Sequence, residues 1–166
     1  SIPVHRPSDY EWKAIKEISS KVLDISRNIN YIEEAIREIC SEYIPSLSLL
    51  LGPISAAKLV SLAGSRERLA RMPSGSLQVL CAQSAMSAHR NGAPPPKHGS
   101  ILFSMPQISR SPRWVRGKIS RYIAGKASIA VRVDHFKGTP WNQDVVDQIN
   151  IEIQSIKNKF HKPPKR

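Results

Sequence analysis

Lys97 and His98 close a run of three prolines in Gly92-Ala-Pro-Pro-Pro-Lys-His-Gly99. The prolines hold the chain stiff and extended, and the two glycines let the backbone turn tightly or approach a partner. A cation and an imidazole are thereby presented at low entropic cost. Lysine meets a phosphate as a point charge, and neutral imidazole can stack on an unpaired base or hydrogen-bond its edge. A second cluster follows in Ser111-Pro-Arg-Trp-Val-Arg-Gly-Lys-Ile-Ser-Arg121, which supplies Arg113, Arg116, Lys118 and Arg121. These cations fall near the start of an expected helix, whose positive N-terminal dipole suits phosphate. Trp114 can stack on a base or pack half-buried. The bland alternatives are a structural loop with an incidental histidine and a solvated cationic face.

Catalytic signals are poor. There is no HExxH, GxSxG, Walker loop or paired carboxylate. Lys97 with His98 can move a proton and steady a phosphorane in RNA cleavage, but no second titrating group stands at a suitable spacing. Cys40 and Cys81 are far apart, with no CxxC and no histidine at metal spacing, which fits packing roles in a reducing compartment. The expectation is a protein that is not an enzyme and uses no metal or cofactor.

The charge map supports the first reading of the two clusters. Residues 68–133 contain no Asp or Glu but hold eleven Lys and Arg, including Arg90, Lys126 and Arg132. Elsewhere thirteen carboxylates offset most of the remaining cations, so the net charge of +12 is a local field. A surface of one sign attracts a polyanion, and each neutralised phosphate releases condensed counterion.

The elements that must hold these residues read as helices. Over 9–43, Ile15, Ile18, Val22, Ile25, Ile29, Ile32, Ile36, Ile39 and Tyr43 step by threes and fours, the spacing of a coiled-coil seam, with Ser8 and Asp9 as a cap. Such a seam needs a partner helix, a second copy or the body of the domain. Pro45 ends that helix, and Leu47–Leu51 reads as buried. Helices are expected over 55–62, stopped at Gly64, over 66–71, and over 76–89, stopped at Gly92. Ile101-Leu102-Phe103 reads as a brief strand. A helix over 111–133 is expected with Ser111 as N-cap and Pro112 in its first turn. Its apolar face is Val115, Ile119, Tyr122, Ile129, Ala130 and Val133. Gly117, Ser120, Ala124 and Ser128 form a small-residue stripe, and Trp114, Lys118, Arg121 and Arg132 an outward face. Lys126 is expected to be buried against a carboxylate such as Asp134. Thr139-Pro140 caps a last helix to Phe160, before a basic tail. No segment reads as a signal peptide or membrane span, since the apolar stretch 47–64 is broken by Gly52-Pro53 and carries Lys58. The chain starts at Ser1 with an irregular segment to Ser8, and reads as a piece of a longer or processed protein.

Several motifs occur in a recognisable order: Tyr31-Ile-Glu-Glu-Ala-Ile-Arg-Glu-Ile39, Leu51-Gly-Pro53, Ala57-Lys-Leu-Val-Ser-Leu-Ala-Gly64, Arg71-Met-Pro73, the 92–99 loop, the 111–121 helix and Ala127-Ser-Ile-Ala-Val-Arg-Val-Asp-His-Phe136. Together they closely resemble the Nop domain of box C/D guide ribonucleoprotein (RNP) core proteins and of the related Prp-type spliceosomal factor, archaeal forms above all. The resemblance covers residues 29–137. It implies a mainly all-α bundle that binds a composite surface, a kink-turn RNA already held by a small ribosomal-protein-like partner. By motif it assigns Lys97, His98, Gly99, Arg113, Arg116, Lys118 and Arg121 to RNA, and it sets residues 82–90, Arg90 among them, and Trp114 near the composite surface. It also implies a role in rRNA or pre-mRNA processing, cytoplasmic in an archaeon and nuclear or nucleolar in a eukaryote. Two departures stand out. Cys81-Ala-Gln-Ser84 occupies a segment where the family often has Gly-Ala-x-Lys followed by an aromatic, for which this chain has Ser87. The family's upstream, methyltransferase-docking domain and second coiled-coil helix have no counterpart in this chain, so it is not expected to recruit a methyltransferase alone.

The sequence therefore divides into a truncated coiled-coil-type helix (1–44), an RNP-binding core (45–138) and a C-terminal helix with basic tail (139–166). The expected function is non-catalytic RNP assembly, with coiled-coil pairing to a partner helix or a second copy and no membrane contact. Its rivals are a coiled-coil scaffold with a non-specific RNA-binding face and a metal-independent ribonuclease.

Overall fold

The computed structural model describes residues 6–163; the irregular start expected at residues 1–5 and the last three residues of the expected basic tail lie outside the described residues. All regular structure among them is helical, in ten helices. These are α1 (Asp9–Tyr43), α2 (Pro45–Leu51), α3 (Pro53–Ala63), α4 (Arg66–Arg71), α5 (Ser74–Gln78), α6 (Gln83–Arg90), α7 (Ser100–Phe103), α8 (Pro106–Ser109), α9 (Arg113–His135) and α10 (Gln143–Lys159). The chain divides into two compact units, residues 1–36 and 37–166.

The first unit is the body of α1. Its start is a reciprocal capping box. Ser8 Oγ accepts from the Glu11 amide at 3.4 Å, and the Glu11 carboxylate accepts from the Ser8 amide at 2.7 Å. Asp9, the other expected cap, is the first helical residue. Of the seam residues, Ile15, Ile18, Val22, Ile25, Ile29, Ile32 and Ile39 are exposed and Ile36 is half-buried.

The second unit is built around α9. Val115, Ile119, Ile123, Ala127, Ala130 and Val131 are buried along it, with α2, α4, α5, α7, α8 and α10 against it. Each fully buried Ile or Leu contributes roughly 1.5–3 kcal/mol of transfer free energy. The small-residue stripe is real, since Ser120, Ala124 and Ser128 are buried and let neighbouring helices approach closely. The expected apolar face was rotated from the true one: Ile129 is 48% exposed and Val133 half-buried, whereas Ile123, Ala127 and Val131 are buried.

Other local expectations are corrected. Leu47–Leu51 is helical, not an unbroken buried run, and Leu49 faces out. Gly52 bends the chain by 118° between α2 and α3. Gly64, at φ +89°, ends α3 as foreseen. The 76–89 helix is two helices, α5 and α6, broken at Cys81, which takes φ +69°. Ile101–Phe103 forms the helical turn α7, not a strand, and α8 was not foreseen. Pro112, in extended backbone, is the N-cap of α9, while the Ser111 hydroxyl donates to the Gln107 carbonyl at 2.6 Å. Asn142, not Thr139, caps α10, its side chain accepting from the Val145 amide.

Asp134 does not meet Lys126. Its two carboxylate oxygens accept from the Ser46 and Leu47 amides at 3.0 Å each, capping α2 across the core. This gives two otherwise unpartnered helix donors an anion, the favourable sign at an N-terminus. Lys126 is half-buried, with its ammonium 5.5 Å from the Tyr122 ring centroid. No single helix among the described residues is long and apolar enough to cross a membrane.

Candidate nucleic-acid interface

The proline-rich loop is buckled onto α5 and rests across α9. The Gly99 amide donates to the Gln78 carbonyl at 2.7 Å, and the Gln78 side-chain amide donates back to the Lys97 carbonyl at 2.6 Å. Gly99 is needed here for space, not for an unusual φ: a Cβ at this position would lie 1.7 Å from the Leu80 carbonyl oxygen. On the other side the aliphatic stem of Lys97 lies against Gly117, where an added Cβ would come 3.4 Å from Lys97 Cδ. Gly99 thus lets the loop close on the 79–80 backbone, a Cβ at 117 would make only ordinary contact with the lysine stem, and the Lys97 side chain stays exposed.

His98 is half-buried and stacked on Phe103, with centroids 4.8 Å apart and planes 11° from parallel. The Arg116 guanidinium lies 5.3 Å from the same Phe103 ring. Burial pushes the His98 imidazole below the ordinary histidine range; the nearby charges of Arg116 and Lys97 act the same way, against a hydrogen bond at Gly99. The imidazole is therefore neutral at pH 7, the form suited to stacking.

The basic helix divides into free and committed cations. Arg113 and Arg121 are exposed, and no hydrogen bond or ion pair among the described residues engages them. Arg116 is half-buried and structural, its Nε donating to the Ser111 carbonyl at 2.8 Å and its Nη2 to the Ser109 carbonyl at 2.9 Å. Lys118 caps the face of Phe160, 4.1 Å from the centroid, and stays exposed. Trp114, 36% exposed, donates through Nε1 to the Phe160 carbonyl at 2.9 Å. Arg132 faces outward as expected, but its Nε donates to the Ala70 carbonyl at 2.9 Å.

These placements bring Pro94–Pro96, Lys97, Trp114, Lys118 and Arg121 together around one open groove of about 480 Å³. His98 and Gly99 lie beside it, while Arg90, at the end of α6, lines a neighbouring groove with Ser76, Met86 and Ser87, joined through Val79. Sequence reasoning missed Gln78, Phe103 and Phe160. Gln78 carried no signal at all. Phe103 was visible as an aromatic close after His98, but was assigned to a strand. Phe160 stood only as the end of the last helix.

The described residues thus form a helical body in which the proline-rich loop and the basic helix share one groove. The chain belongs to the Nop domain family, described as "snoRNA binding domain, fibrillarin", whose pattern matches residues 5–156. It is 35% identical over 156 residues to a NOP5 family protein of Methanocaldococcus jannaschii, covering 93% of this chain and 37% of that protein. It is 36% identical over 134 residues to Nucleolar protein 56 of Caenorhabditis elegans, covering 80% of this chain and 27% of the relative. A solved fibrillarin/Nop5p complex contains a chain with a TM-score of 0.69 and 28% identity, covering 91% of this chain and 56% of that one. The chain thus spans about a third of the length of these curated relatives.

Proposed function

We propose that this chain is a non-catalytic RNP assembly module that clamps a kink-turn RNA already bound by a small kink-turn-binding protein. The observation that carries this is the buckled loop: Gly99 and Gln78 fix Lys97 against α9, beside Lys118 and Arg121, so the cations are set before RNA arrives. Preorganisation of this kind lowers the ordering cost of binding. Lys97, Arg113, Lys118 and Arg121 take phosphates in this reading. His98 offers the ring face turned away from Phe103 to an unstacked base, and Gly99 provides the close approach. Arg116 acts chiefly by holding the α8–α9 junction. Arg90 and Trp114 stand towards the composite surface. The core 45–138 carries this binding, the C-terminal segment 139–166 braces it, and the seam of 1–44 pairs with another helix, from a partner or a second copy. The setting is rRNA processing, or pre-mRNA processing, nucleolar or nuclear in a eukaryote and cytoplasmic in an archaeon.

The test is fluorescence anisotropy on a labelled kink-turn RNA, with and without its kink-turn protein, across a salt series. Tight binding only with the protein present is the expected result. Equal binding to any RNA, lost steeply with salt, favours the scaffold with a non-specific basic face, for which the acid-free stretch 68–133 is the supporting observation. His98→Ala should weaken binding to the protein–RNA complex and change no cleavage; time-dependent cleavage abolished by that substitution would sink the assembly reading.

A further inference from the structure

We propose that the end of α10 and residues 160–162 form a second phosphate-binding surface, which carries RNA backbone onward from the loop-and-helix groove. This rests on the RNA-binding reading above. After Glu152 the described residues contain no carboxylate, but they include Lys157, Lys159 and Lys162. The fold joins this C-terminal run to the acid-free run 68–133. The Trp114 indole donates to the Phe160 carbonyl at 2.9 Å, and the ammonium groups of Lys118 and Lys159 lie 4.1 and 5.9 Å from the centroid of the same Phe160 ring. One aromatic ring, contributed by the C-terminal segment, thus gathers a cation from each stretch.

Among the described residues no carboxylate pairs with Lys118, Lys157, Lys159 or Lys162, whereas Lys21 pairs with Glu17, Arg27 with Asp24 and Arg71 with Glu67. Like charges gathered without counter-charge raise the energy of the folded chain, and a polyanion relieves it. Lys118, Lys159 and Lys162 are all exposed, so their point charges are available to solvent and to phosphate alike. Beyond Ile151 the segment shows no large exposed apolar side chain, whereas a protein–protein interface is usually centred on one. Phosphate is the chemistry this surface fits, and its continuity with Lys118 and Arg121 makes the source the same RNA, along one of the stems that leave the kink.

The experiment uses the full chain and three RNAs saturated with the kink-turn protein: a minimal kink-turn and two versions, each with one stem lengthened by about one helical turn. Salt slopes of binding are compared for the parent chain and the Lys159→Ala/Lys162→Ala double variant. On one lengthened RNA the double variant should lose about two units of log–log slope, roughly 0.9 per phosphate contact, and bind several-fold more weakly. On the minimal RNA it should match the parent. Equal slopes for parent and variant on both lengthened RNAs overturn the proposal. So does a loss confined to anionic vesicles or to a polyglutamate competitor, since the surface would then serve a membrane or an acidic protein. Lys97→Ala run alongside separates the two readings: if it weakens binding and the double variant does not, only the extended surface fails. If neither matters, the RNP reading itself has failed.

Discussion

Cys81 holds a left-handed backbone, φ +69°, at the break between α5 and α6, in the segment where the resemblance points to a family glycine. A side chain in that region costs roughly 1–2 kcal/mol, whereas glycine pays instead in the entropy of the unfolded chain. Cys81→Gly should therefore be neutral or stabilising by up to about 1 kcal/mol, and Cys81→Val should destabilise, because a β-branched residue tolerates positive φ poorly. Urea denaturation of the three proteins checks this; a clear destabilisation by glycine would show that the thiol packs better than the backbone suffers. His98 supports a second prediction. Its folded pKa is depressed by burial, so the unfolded chain takes up the proton first as pH falls. Stability should drop as pH falls below about 6.5 and level off below the folded pKa. The difference in stability between parent and His98→Gln should shrink over that window, measured by denaturation at pH 7.5 and 5. Of these side chains the sequence showed the charges and the imidazole, since type and spacing alone carry them. The Gln78 buckle and the Phe103 platform depend on contacts across 19 and 5 residues that no local pattern encodes.

Long helices were legible, and so was the six-residue α4 over 66–71, but the shortest were not, for a physical reason. α1, α9 and α10 repeat their apolar spacing over several turns, so period and caps reinforce each other. Helices α5, α7 and α8 have five, four and four residues, too few for any period to show, and packing on α9 decides them. Even in α9 the register was misjudged, because alanines and serines lie on the buried face and Ile129 does not. The start of α9 supplies a prediction. With two guanidinium nitrogens on the Ser109 and Ser111 carbonyls, Arg116 fixes the turn that aims the basic helix. Arg116→Ala should cost about 2 kcal/mol of stability and should change the salt slope of RNA binding less than Lys97→Ala does. A larger slope change than that of Lys97→Ala, with unchanged stability, would make Arg116 a phosphate contact after all. The exposed seam of α1 gives another. Ile25→Asp with Ile32→Asp places two charges where a coiled-coil seam would desolvate them. Sedimentation should show any self-association abolished while RNA binding persists, and a parent chain that is monomeric at every concentration removes the homodimer.

The whole molecule concentrates its charge. Carboxylates lie in α1, α4 and α10, with Asp134 of α9 held by the α2 amides, and the acid-free run 68–133 meets the acid-free C-terminal run around Trp114, Lys118 and Phe160. A non-specific patch and a built interface both bind RNA with a steep salt slope, so the slope alone does not separate them. What separates them is whether individual cations are equivalent. On a diffuse patch every exposed lysine of the 37–166 unit counts about the same, because mobile side chains sample many phosphates. On a built interface position decides. Lys97 is braced by Gly117 and the Gln78 buckle, while Lys58 is equally exposed but lines a different groove with Ser55, Ser61 and Ser104. Lys97→Ala and Arg121→Ala should each lower the slope by about 0.9, and Lys58→Ala should leave it unchanged, in titrations onto the kink-turn RNA–protein complex at several salt concentrations. Equal losses at all three positions would assign the binding to net charge, and the rigid loop would then need another explanation.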